Sequence, residues 1–308
     1  MKLIKYLIGS IICSILVINN CYSVENKILF KVNNEIITSV DILNELQYLI
    51  TINPEFKKTN KSEAIEISKN SLIREKIKEI EIKRIIEEIR IEDKTLEKLI
   101  LNNFNEFQIK SILDFEKFFL KNNIDPNLIK KKISIEVLWN QLIYSNYIEN
   151  IKIDEEIIKN NLINNEKQKE FLIAEILFNI DENENLNKKL DLIEDSIKKK
   201  NFSQTALTYS IADTANKGGN LGWVTETVLS KNIYKEIKNL NNGEHTKPIL
   251  VPGGFLILQL LDSRETTKNF NINKEIKKIV ENKTNQQLNR FSNIYFNKVK
   301  KDIIINEF

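Results

Sequence analysis

Between Tyr209 and Trp223 the chain reads Tyr-Ser-Ile-Ala-Asp-Thr-Ala-Asn-Lys-Gly-Gly-Asn-Leu-Gly-Trp, a stretch holding three of its seven glycines and one of its two tryptophans. With only four prolines elsewhere to punctuate the chain, such clustering demands a tight, built turn rather than a slack linker. Apolar runs flank it, Phe171–Phe178 upstream and Gly254–Leu261 downstream, and both have the length and composition of buried strands. A fold for this chain must bring those two strands and that turn together. The order over residues 171–264 is strand, helix, Ser-containing turn, Gly-Gly-x-Leu-Gly, helix, Gly-x-x-Pro-Ile, strand.

The 308 residues suffice for two domains with cores of their own. Charged residues are 29% of the chain and nearly balanced, with a formal net charge of +3. Met1–Ser23 has the layout of a secretory signal peptide: Lys2 and Lys5 at the start, the apolar run Leu7–Ile18, and small residues at Cys21 and Ser23 before the cut. The run is short for a membrane span, and Asn19-Asn20 before Cys21 fits a lipoprotein signal poorly; an uncleaved anchor is the alternative. Cleavage removes Lys2 and Lys5, taking the net charge from +3 to +1, which argues against a nucleic-acid binder. It also removes Cys13 and Cys21, so the mature chain uses no disulfide in an oxidising compartment. Ile, Lys and Asn are over-used throughout, a pattern that AT-rich codon bias explains without any physical cause, so Lys-rich runs carry no weight.

The remaining elements follow from pattern. Ile28–Ile37 predicts a hairpin turning at Asn33-Asn34, a pair tolerant of positive φ. Thr38 or Ser39 is placed to cap a helix with Ile42, Leu43, Leu46 and Leu49 on one face. Residues 62–91 predict a long helix through Ile73, Ile77, Ile80, Ile85 and Ile89. Shorter helices are expected at 93–103, 105–111 and 114–122, a longer one from Asp125-Pro126 to Tyr147, and another at 154–164. A helix over 273–300 and a terminal β-like run, Ile303–Ile305, close the chain; three apolar residues cannot form a strand alone, so docking on the first hairpin is expected.

The ordered motifs of residues 171–264 resemble the parvulin (PpiC-type) family of peptidyl-prolyl isomerases. The helical part resembles the N-terminal region of SurA-type periplasmic chaperones, through Val32-Asn-Asn-Glu-Ile-Ile-Thr38, Leu72-Ile-Arg-Glu-Lys-Ile-Lys78 and Lys152-Ile-Asp-Glu-Glu-Ile157. Together these resemblances imply a mostly helical α+β chain: a signal peptide at 1–23, an N-terminal helical chaperone domain at 24–166, one parvulin-like domain at 167–264 with a small antiparallel sheet wrapped by helices, and a C-terminal helix and strand at 265–308 packing on the N-terminal domain.

Isomerising an X-Pro bond crosses a barrier of about 18–20 kcal/mol. The catalyst needs an apolar proline pocket, a desolvated amide, and polar groups that favour the twisted state. The resemblance places Leu221, Leu229 and Ile233 in the proline pocket, with Phe255 beside it, and all are apolar. Its polar centre is degenerate. Glu175 stands at the first histidine position, Leu256 at the second, and Ala212 at the Cys/Asp position, where a one-residue slip would substitute Asp213. Glu175 reads either as a replacement polar group with a raised pKa or, more simply, as a strand residue facing a wet groove. The sole histidine, His245, falls in the turn Gly243–Pro248 and is expected to be solvated. Ser210 is expected to hydrogen-bond its own loop. The acidic loop 179–184 lacks the Arg and Lys cluster of phosphopeptide-selecting parvulins.

The resemblance implies a periplasmic chaperone for unfolded outer-membrane β-barrel precursors, in contact with their assembly machinery, whose parvulin-like domain has weak or no isomerase activity. An active isomerase using Glu175 and Asp213 is the alternative. No cofactor, metal or nucleic-acid partner is expected: one histidine and no mature cysteine make a poor zinc site, and no nucleotide-binding glycine motif is present.

Overall fold

The computed structural model describes residues 26–163, 167–180, 184–267 and 272–308; the expected leader Met1–Ser23, with Cys13 and Cys21, and part of the acidic loop lie outside them. Strands β1 (Ile28–Val32) and β2 (Glu35–Thr38) form the expected hairpin, with Asn33 at φ +49° in its turn. Thr38 then caps α1 (Ser39–Ile52): its hydroxyl accepts from the Asp41 amide, while the Asp41 carboxylate accepts from the Thr38 amide. Ile42 and Leu49 are buried, but Leu43 is exposed, lying outside the narrower stripe that meets the next helix.

Helix α2 (Lys61–Lys83) ends earlier than its pattern predicts. The amide of Arg84 is shared between the carbonyls of Glu81 and Ile82, and the chain turns there. Ile85-Ile86 are β-branched and weak helix formers; Ile86 and Ile89 pack sideways onto the core while Ile85 is left exposed. Helices α3 (Asp93–Asn103) and α4 (Ile112–Lys121) follow, joined by a 3₁₀ turn at Asn105–Phe107 in place of the expected helix 105–111. Gln108 at φ +59° stops that turn and folds Ile109 under it. Phe104, Phe115 and Phe119 form the centre of this part, with ring centroids 4.8–5.5 Å apart. Helices α5 (Pro126–Tyr147) and α6 (Glu155–Ile163) complete the N-terminal half.

Among the described residues, three α-helices and four strands make up the next unit. The strands β3 (Lys167–Phe178), β4 (Asn220–Thr225), β5 (Ile249–Val251) and β6 (Gly254–Thr267) form an antiparallel sheet in the order β4-β3-β6-β5. Strand alternation sorts its two faces. Ala174, Ile176, Phe178 and Ile257 pack under α7 (Leu186–Lys199) and α8 (Phe202–Tyr209). Phe171, Ile173, Leu177, Leu256, Leu258 and Leu260 turn to the other face with Ile233 and Ile237 of α9 (Lys231–Ile237). The glycine turn follows a 3₁₀ turn at Ala215–Lys217 and leads directly into β4.

The chain then returns to its beginning. Helix α10 (Ile272–Lys301) buries Phe296 and Val299 in the same core as Phe30, Ile77, Ile135 and Trp139. The Trp139 indole nitrogen donates to Ser292 Oγ at 2.8 Å. Strand β7 (Ile305–Glu307), two residues later than expected, pairs antiparallel with β1. The shift has a packing cause: Ile303 is drawn into the core, and Asn33 clamps Ile304 through both its amide and its side-chain oxygen. The result is a mostly helical α+β molecule in which the C-terminal helix and strand complete the N-terminal core.

Candidate functional site: an apolar groove with a sparse polar edge

The glycine turn shapes the site. Gly218 and Gly219 adopt φ +67° and +79°, in the left-handed region. A Cβ on Gly219 would lie 2.1 Å from the Glu175 carbonyl oxygen, and one on Gly218 would lie 1.9 Å from Ser203 Oγ. This close approach lets the Glu175 amide donate to the Gly219 carbonyl at 2.8 Å, fixing β3 against the turn. Ser210 Oγ accepts from the amides of Leu177 and Ala212, so it ties its own loop to the strand end as well.

The groove-facing side of the sheet, the loop Ala212–Thr214 and α9 enclose a cavity of about 350 Å³. Leu221, Leu229, Ile233, Glu175, Ala212, Asp213 and Leu256 all line it. Phe255 does not, contrary to expectation: it stands one residue from Leu256 on a strand of period two, so it points to the opposite face and stacks on Phe178 at 5.7 Å. His245 is also on that side, half-buried near Phe202, with Nε2 3.7 Å from Glu194. It is less solvated than its turn suggested, because its backbone bridges to Gln259 and draws the ring against the helices.

On the sheet side of the groove the polar groups gather at one edge. Glu175 Oε1 accepts a hydrogen bond from Thr214 Oγ1 at 2.8 Å. Desolvation pushes its carboxyl up to about 7, against the lowering effect of Thr214 and with a further raising contribution from Asp213. The side chain is thus half-buried and held, not wet. Asp213 reaches instead toward the helical half: Lys78 Nζ is 3.2 Å away and Arg74 is 3.7 Å away, both on α2. Desolvation acts to raise the Asp213 carboxyl, but Lys78 and Arg74 outweigh it and hold it below the usual range. Lys78 is buried and is shared with Glu136 at 2.6 Å. Among the described residues no cluster of His, Cys, Asp and Glu is arranged to hold a metal ion.

Sequence reasoning missed the roof. Asn282, Asn285, Gln286, Asn289, Arg290 and Asn293 of α10 face the groove from above. Their spacing of three and four residues was a readable helical stripe, but it is hidden in a chain where Asn is abundant everywhere. Pro252 and Val228 also line the groove and carried no signal of their own; Trp223, at the end of the glycine-rich stretch, lines it too.

Residues 175–262 match the model of the PpiC-type peptidyl-prolyl isomerase (rotamase) domain. The chain therefore carries a PpiC-type domain. It is also similar to proteins named chaperone SurA: 24% identical over 192 residues to that of Pseudomonas putida KT2440, covering 59% of this chain and 45% of that one. The counterpart from Pseudomonas fluorescens Pf0-1 is 27% identical over 146 residues, covering 44% and 34%. The matched part of the chain thus spans less than half the length of these relatives. A solved structure from Campylobacter jejuni, described with SurA-like chaperones, is similar over 92% of this chain and 100% of its own, at 17% identity and a TM-score of 0.29.

Proposed function

We propose that this chain is an exported chaperone that holds unfolded polypeptides, and that its PpiC-type groove grips apolar segments with weak or no isomerase activity. The observation that carries the reading is the groove itself: Leu256 and Ala212 occupy two of the three positions where the resemblance expects polar groups. The third, Glu175, is engaged by Thr214. Holding a client needs a broad apolar surface without tight sequence demands, so the missing donors cost that activity little. Similarity to SurA chaperones supports the same reading, with outer-membrane β-barrel precursors as clients, the periplasm as compartment and the barrel-assembly machinery as a partner. Such precursors expose alternating apolar strands with unpaired edges and aggregate readily. We assign residues 1–23 to a cleaved leader, 24–166 and 265–308 to the chaperone core, and 167–264 to the PpiC-type unit. No described helix is long and apolar enough to cross a membrane.

A second reading, an active isomerase with a variant centre, draws on Glu175: a carboxyl titrating near neutrality is partly protonated and can donate to a twisting amide. Against it stands the commitment of Asp213 to Lys78 and Arg74. Assays in parallel on the purified mature chain test the two. Suppression of aggregation of an unfolded barrel protein, with proline isomerisation near background, is expected; a rate near that of an active parvulin would establish the second reading.

A further inference from the structure

Beside the groove lies a second cavity of about 290 Å³, between α10 and the turns that flank β4 and β5. Val228, Pro252, Phe291 and Ile294 give it apolar walls, and Lys283 and Arg290, two turns apart on one face of α10, give it two cations. Val228, Pro252, Gln286 and Arg290 line both cavities, so the two adjoin. The cations are half-buried, and among the described residues no carboxylate pairs with either. Lys283 donates only to the Val228 carbonyl at 3.3 Å. Burial lowers the pKa of both, and the Arg290 charge lowers that of Lys283 further, as expected of like charges gathered without a counter-ion. A site of this kind is relieved by an anion that brings an apolar group with it.

We infer that this cavity receives the carboxy-terminal end of a client polypeptide, its α-carboxylate held by Arg290 and Lys283 and its last, apolar side chain seated against Val228, Pro252, Phe291 and Ile294. Charge complementarity and the wall shared with the groove favour this occupant: a chain leaving the apolar floor on that side meets the cations. Guanidinium and ammonium groups bind carboxylates through charge-assisted hydrogen bonds, and capture of a chain terminus is a recurring mode of peptide recognition. The inference rests on the reading of the groove as peptide-binding.

The test is fluorescence anisotropy on the full mature chain with a short labelled peptide ending in Leu-Phe, as the free acid and as the C-terminal amide. The free acid is expected to bind at least about tenfold more tightly. Lys283→Gln should erase most of that preference while leaving the affinity for the amide within about twofold, which also reports that the variant is folded; Arg290→Gln should likewise erase the preference, and Arg290→Lys should retain part of it. Equal binding of acid and amide to the wild type overturns the terminus site and leaves the groove reading standing. Binding of neither form removes the groove reading, and the terminus site with it.

Discussion

Glu175 concentrates the tension between fold and chemistry in this molecule. Its position on β3 directs it into the groove, where the Thr214 hydroxyl donates to it and Asp213 stands nearby. The carboxyl moves from its ordinary 4.5 to about 7. Because the folded pKa is raised, its favourable contribution is complete below about pH 4.5 and disappears as pH rises through 7. Glu175→Gln is therefore expected to leave stability nearly unchanged at pH 4.5 and to raise it by about 1–2 kcal/mol at pH 8, after discounting for solvent screening. Urea unfolding at the two pH values measures this, and an equal effect at both would show that desolvation does not set the shift. The position of Glu175 was legible in the sequence as the charged member of an apolar strand. Its burial was not, because the groove wall opposite comes from a loop and a helix distant in the chain.

At the scale of elements, local signals were read well where local energies decide. The Asn33-Asn34 turn, the Thr38 cap and the Asp125-Pro126 start are present, each set by backbone preference or a side-chain cap. Thr38→Ala, which breaks one half of the capping box, is expected to cost about 1 kcal/mol in urea unfolding. Elements set by tertiary packing were misjudged. The end of α2 depends on Ile86 and Ile89 reaching the core, and the register of β7 depends on Ile303 being drawn inward. Phe255 was misassigned through motif adjacency, although the period of two along β6 separates it from Leu256. The amide stripe of α10 escaped notice because composition bias masks it.

Across the whole molecule, the PpiC-type unit is fastened to the helical half through charge as well as packing. Leu207 packs with Leu49, Phe56 and Ile67, Lys200 and Thr208 meet Glu63, and Lys78 joins Glu136 to Asp213. Lys78 is only 3% exposed. Removing both its partners, in Glu136→Gln with Asp213→Asn, strands a buried charge and should cost about 3 kcal/mol. Adding Lys78→Met to that pair should restore most of the loss, since a buried ion pair and a hydrophobic isostere are often equivalent; failure of rescue in urea unfolding would mean that the charge is not the cause. The same fastening keeps Asp213 engaged with the helical half at the edge of the groove.

Exchange NMR on a Leu-Pro peptide with substoichiometric protein decides whether the groove grips apolar peptide without efficiently twisting it. The peptide signals should broaden and shift on binding while cis–trans exchange stays near its unaided pace of roughly tens of seconds. Exchange accelerated to the subsecond range, at the same level of binding, would contradict the account.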